Sequence, residues 1–87
     1  MTLSFPNPSR SYDAVAHRVR FWGYDRAMEV SFFVEENALS KLQPRMGGVE
    51  EDVLRAFDGA RERILSVAAA VYAKGRRNPF ILAEADF

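Results

Sequence analysis

The segment Val19-Arg20-Phe21-Trp22-Gly23-Tyr24-Asp25-Arg26-Ala27-Met28-Glu29-Val30-Ser31-Phe32-Phe33-Val34 decides the fold. Its side chains alternate with a period of two on both sides of a centre that carries Gly and Asp. Such a pattern predicts a β-hairpin, here over residues 17–35. Val19 and Phe21 share one side, with Arg18, Arg20 and Trp22 on the other. Met28, Val30, Phe32 and Val34 form the second apolar set, opposed by Glu29, Ser31, Phe33 and Glu35. Directly opposed residues of an antiparallel pair lie on one face, so the two apolar sets must meet. The predicted register therefore sets Phe21 against Val30 and Val19 against Phe32. On the outer face it sets Trp22 against Glu29, Arg20 against Ser31 and Arg18 against Phe33. A slip of one residue would place Arg20 against Val30 and expose half of the apolar set.

Downstream, residues 36–43 read as a short helix with acidic residues at its start, where the helix dipole favours them. Ala38, Leu39 and Leu42 form its apolar stripe, and Pro44 stops it. Residues 49–74 read as one long amphipathic helix. Val53, Phe57, Ala60, Ile64, Ala68 and Val71 recur at spacings of three and four, and Leu54, Leu65 and Tyr72 widen the stripe. Gly75 is placed as a left-handed cap and Pro79 prevents continuation. Gly59 inside the helix marks a mild bend or a close approach to the sheet. Residues 79–86 read as a closing strand. Upstream, residues 1–16 form an arm with an edge strand at Leu3–Phe5 and one helical turn over Ser11–Ala16, capped by Ser11 or Asp13. The order β-β-β-α-α-β predicts an α+β fold: one small antiparallel sheet with the long helix across one face, in a single domain over 1–87.

Composition narrows the function. A chain of 87 residues makes one core, and 48% apolar residues with seven Phe can fill it. The sequence has no Cys, which excludes disulfides and thiolate metal sites and fits a reducing compartment. Twelve basic and twelve acidic residues cancel, whereas nucleic-acid binders usually carry a positive excess. The N-terminus lacks the layout of a secretory signal, and the longest apolar run, Val67–Ala73, is far below the ~20 residues of a membrane span. The chain is expected in the cytoplasm, without membrane contact.

Several strings together carry a family likeness. These are Phe5-Pro6-Asn7, Tyr12-Asp13, Val19-Arg20-Phe21-Trp22-Gly23, the Glu29–Leu39 stretch, Leu54-Arg55-Ala56-Phe57-Asp58, Val71-Tyr72 and the terminal Asp86-Phe87. With them the chain resembles, over essentially its whole length, the small bacterial family known as domain of unknown function 1488. The resemblance implies short bacterial proteins with no assigned activity and no functional residues to carry across.

The residues themselves present few chemical candidates. His17 is the single histidine, and as a general base it would need a nucleophile or carboxylate converging on it; Tyr12 and Asp13 are close in sequence only. Glu35-Glu36 and Glu50-Glu51-Asp52 lack the alternation of a calcium loop and stand at helix starts. Gly47-Gly48 lacks the spacing of a phosphate loop, and three carboxylates follow it. No cofactor, metal or catalytic set is expected, and the chain is read as a non-enzyme. Two surfaces remain. Lys74, Arg76 and Arg77 complement the C-terminal end of the long helix or contact phosphate. Arg18, Arg20, Trp22 and Phe33, with Tyr24 and Arg26 nearby, set aromatic rings beside guanidinium groups on the outer hairpin face. That face is expected to be covered by the N-terminal arm or by a second copy of the chain, as in a homodimer or a complex with another protein. Weak nucleic-acid binding by base stacking, aided by the basic helix end, is the alternative.

Overall fold

The structure, a computed structural model, describes residues 3–87; the first two positions of the predicted arm, Met1 and Thr2, lie outside the described residues. The order is β1 (Leu3–Ser4), β2 (Arg10–Asp13), β3 (Arg18–Asp25), β4 (Met28–Glu35), α1 (Glu36–Leu42), α2 (Glu50–Gly59), α3 (Arg61–Ala73) and β5 (Phe80–Leu82). A 3-10 turn over Glu84–Asp86 follows. Together these elements make a mixed α+β fold with five strands and three helices.

The hairpin forms with the predicted faces and a different register. Phe21 opposes Phe32, Val19 opposes Val34 and Gly23 opposes Val30. Outside, Trp22 meets Ser31, Arg20 meets Phe33 and Arg18 meets Glu35. The pairing is shifted by two residues from the expected one, because the loop is only Arg26-Ala27 and Asp25 pairs directly with Met28. A shift of two preserves every face, so hydrophobic patterning cannot detect it. Loop length sets the register instead. Arg26 takes the tight turn with φ of 59°, in the left-handed region that hairpin loops of this length demand.

Both β1 and β2 pair antiparallel with the same side of β3: Leu3 opposes Asp25, and Arg10 opposes Phe21. They form one edge strand interrupted by the arch of residues 5–9. Phe5 leaves the ladder at this arch and directs its ring into the core, with ring centroids 6.1 Å from Phe21 and 5.7 Å from Phe32. The helical turn expected over Ser11–Ala16 does not form. Its first half is strand β2, and Asp13 Oδ1 accepts the Val15 and Ala16 N–H groups at 3.1 Å each, shaping a hairpin loop rather than capping a helix.

The predicted single long helix is two helices. At the junction Ala60 has φ −111° and ψ 13°, and its N–H bonds to the carbonyls of both Ala56 and Phe57 at 3.1 Å. Gly59, the weakest helix former after Pro, supplies the physical reason for an end there. The apolar stripe nevertheless runs on across the break, through Val53, Ala56, Phe57, Ile64, Ala68 and Val71, all buried. Gly75 adopts φ of 81° just past α3, and its N–H bonds to the Tyr72 carbonyl at 3.1 Å, as a left-handed C-terminal cap requires.

The closing strand also differs from expectation. It is limited to Phe80–Leu82 and runs parallel to β4, so the sheet is mixed. Three helices separate β4 from β5, and a crossover of that kind returns the chain in the same direction. Pro79 has no N–H to give a ladder, so pairing begins at Phe80.

The core lies between one sheet face and the helices. Val19, Phe21, Val30, Phe32, Val34, Phe80 and Leu82 come from the sheet, and Ala38, Leu39, Val53, Phe57, Ile64, Ala68 and Val71 from the helices. A run of rings ties the layers: Phe21 stacks on Phe32 at 5.5 Å, Phe57 tilts on Phe21 at 5.3 Å, and Phe80 lies 5.2 Å from Phe32. No helix among the described residues is long and apolar enough to cross a membrane.

Candidate functional site

The alternation that buries Val19 and Phe21 sends Arg18, Arg20, Trp22 and Tyr24 of β3 to the opposite face. They are joined there by Glu29, Ser31, Phe33 and Glu35 of β4. None of these eight side chains is buried. All four predicted residues of the interaction surface, Arg18, Arg20, Trp22 and Phe33, therefore stand together on the sheet face away from the core. The described residues of the N-terminal arm do not cover them, because they pair along the edge of β3 and insert Phe5 on the inner side.

Each arginine on this face lies over a ring. The Arg18 guanidinium carbon is 4.0 Å from the centroid of Phe33, and that of Arg20 is 4.9 Å from Trp22. Arg20 also donates to Ser31 Oγ at 3.0 Å and approaches Glu29 at 3.5 Å, a charge pair across the two strands. Arg18 Nε is 3.8 Å from Asp13 Oδ2, and this buried N–H has no hydrogen-bond partner. The face is thus an aromatic and cationic platform with an arginine over each of two rings. Half-buried Trp and Phe on an open sheet are large apolar surfaces to leave in water.

A second cluster forms at the start of β3. Tyr12 OH donates to Glu36 Oε2 at 2.6 Å, and His17 Nδ1 lies 3.1 Å from the same oxygen. Glu36 N–H in turn bonds to the His17 carbonyl at 3.0 Å, and His17 is held with φ of 54° at the end of its loop. The short bond to the carboxylate holds the Tyr12 hydroxyl proton, pushing its pKa up to about 12. Sequence placed Glu36 at a helix start and read it as dipole complementation. The structure makes it the acceptor on which Tyr12 and His17 converge, while Asp13 turns to its own loop. Helix α1 and strand β2 are far apart in sequence, so no local signal announced this contact. The cavity beside it, formed by Ala16, His17, Glu35, Glu36 and Asn37, holds about 130 Å³. His17 remains largely in water, its side chain 73% exposed. The arrangement orients an imidazole and fastens the β2–β3 loop to α1; no Ser, Thr or Lys side chain lines the cavity to act as nucleophile.

The basic helix end is divided. Arg76 is clamped by Asp86 at 2.7 and 3.2 Å, which holds the Asp86 carboxyl below its usual range. Lys74 and Arg77 are exposed. Arg77 lines a groove with Met28, Glu29, Tyr72 and Phe80. A further tie that sequence did not show joins Arg10 to Asp58 through two bonds of 2.9 and 2.8 Å; Arg61 adds a third at 3.0 Å. This network pins the edge strand to the α2–α3 junction. Among the described residues no group of three or more His, Asp or Glu side chains is placed to hold a metal ion.

Comparison with known proteins places this geometry among relatives. The family model "Protein of unknown function (DUF1488)" matches residues 3–82. A crystal structure of a protein of unknown function from the DUF1488 family of Shewanella loihica PV-4 superposes with a TM-score of 0.79. The alignment covers 94% of this chain and 90% of that one at 14% identity, a likeness of fold. No curated protein matches.

Proposed function

We propose that this chain, which belongs to the DUF1488 family, is a non-enzymatic protein-interaction module that self-associates through its outer sheet face. One observation carries this reading: all helices lie on one side of the sheet, and the other side presents Trp22 and Phe33, each beneath an arginine. Covering that face would remove two large rings from water, each contributing up to about 2–3 kcal/mol when fully buried. The face also suits a two-fold partner. It carries charges of both signs, Arg18 and Arg20 together with Glu29 and Glu35, as a self-complementary surface requires.

Sedimentation velocity tests the reading. The wild type is expected to run as a dimer, and a Trp22→Glu, Phe33→Glu double variant as a monomer with unchanged circular dichroism. A wild type that sediments as a monomer at every concentration would end the homodimer reading. The nucleic-acid alternative has less support, since Arg76 is engaged by Asp86. It requires micromolar binding of single-stranded RNA that falls steeply with salt.

A further inference from the structure

Strand β4 is paired along all eight residues with β3, but β5 accompanies it only from Phe32 to Val34. On the β5 side no described strand lies along Met28–Ser31. In a hairpin with a two-residue loop, the residues flanking the loop bond to each other and the bonding side then alternates. Glu29 therefore turns both its N–H and its C=O to the open side, and Ser31 its N–H. These groups spell donor, acceptor, donor along about 7 Å of edge, at about 3.3 Å per residue.

The open edge borders a groove of about 640 Å³, within the size range of ligand sites. Tyr72 and Phe80, 5.6 Å apart, form its aromatic wall, and Met28, 59% exposed, stands at its rim. Arg77 lies at the groove with no carboxylate partner among the described residues, in contrast to Arg76 beside it.

We infer that this edge is a strand-addition site for an extended peptide that continues the line of β5. Its backbone pairs with Glu29 and Ser31, an apolar side chain sits between Met28 and the Tyr72–Phe80 wall, and an acidic residue meets Arg77. A peptide fits better than a compact ligand because alternating main-chain donors and acceptors at strand spacing are complementary to another strand. Natural sheets usually blunt such an edge with charge or proline. Here Pro79 instead keeps the chain's own residues out of the ladder. The site uses main-chain groups of Glu29 and Ser31 rather than their side chains on the outer face, and it does not depend on self-association.

Selection of a random-peptide phage library on the full chain tests this, followed by fluorescence polarisation of the enriched peptides. Enriched sequences are expected to alternate apolar with polar residues and to carry Asp or Glu. Binding should weaken about tenfold for Arg77→Glu, recover for Arg77→Lys, and fall similarly when alternate peptide amides are methylated. Ser31→Pro, which deletes an outward N–H and leaves the β3 ladder intact, should act in the same direction. The Glu29 and Ser31 amides should exchange more slowly in the complex. The Trp22→Glu, Phe33→Glu protein should bind the same peptides, so the two readings fail separately. No enrichment over bare support overturns the inference, as does binding indifferent to both Arg77→Glu and methylation. Protection of the Glu29 amide that grows with protein concentration alone would assign the edge to a second copy and overturn it too.

Discussion

Phe5 occupies the space that a side chain on Gly23 would need. A Cβ built on Gly23 would come within 2.8 Å of two Phe5 ring carbons and 2.6 Å of the Ser4 carbonyl oxygen. The glycine thus lets the N-terminal arch close over the inner face, and it explains in one contact why Phe5-Pro6 and Phe21-Trp22-Gly23 belong together. Gly23→Ala is expected to destabilise the protein by about 1–3 kcal/mol through overpacking. For a domain of this size that lowers the Tm by roughly 4–8 °C per kcal/mol, as calorimetry would show.

Gly59→Ala should act in the opposite direction. Gly59 lies at the end of α2, and the nearest atom to a new Cβ is Gln43 Nε2 at 3.2 Å, the tip of a flexible side chain. With that amide displaced, the helix gains about 0.5–1 kcal/mol from the better helix former. Urea denaturation should show a higher midpoint at an unchanged slope. A loss of stability would mean that the Gln43 contact cannot yield.

Acid should weaken the tie between β2 and the helices. Arg10, and to a lesser degree Arg61, hold the Asp58 carboxyl below its usual range. A carboxylate with a depressed folded pKa contributes stability above its unfolded pKa, about 3.9 for Asp, and loses it as pH falls through the lower folded value. Stability measured by urea should therefore decline below about pH 4. Asp58→Asn should cost roughly 0.5–1 kcal/mol at neutral pH and flatten that decline.

Alkali reads the Tyr12 cluster. Its hydroxyl, donating to Glu36, is pushed up to about 12. Since the folded pKa is raised, the interaction contributes at neutral pH and is lost as pH rises from the ordinary tyrosine value of about 10 towards 12. The pKa of Tyr72, whose hydroxyl donates to Asp25 at 2.6 Å, is also raised, so absorbance titration of tyrosinate should contain a late component that shrinks without vanishing in Tyr12→Phe and Glu36→Gln. A late component unchanged in Tyr12→Phe would overturn the assignment to Tyr12.

These contacts mark where sequence was informative. Period-two alternation placed Val19, Phe21, Val30, Phe32 and Val34 inside and Trp22 and Phe33 outside, because each side chain's face follows from its parity alone. Register depended on a loop, Arg26-Ala27, whose residues carry no glycine to announce a left-handed φ. The break at Ala60 was hidden since the spacing from Phe57 to Ile64 stays helical across it. The parallel sense of β5 and the meeting of Tyr12, His17 and Glu36 arise from packing of distant segments, which no local pattern encodes. The aromatic and cationic face, by contrast, was legible residue by residue.

The interrupted edge strand has a consequence for keeping copies of the protein apart. By lying along β3 twice, residues 3–13 pair with Arg18–Phe21 and with Tyr24 and Asp25, six of the eight residues of that strand. A chain clipped after Asp13 would bare that edge as a template for cross-β pairing. Residues 3–13 thus serve as a guard against edge-to-edge pairing, and their removal is expected to make the protein more prone to aggregate.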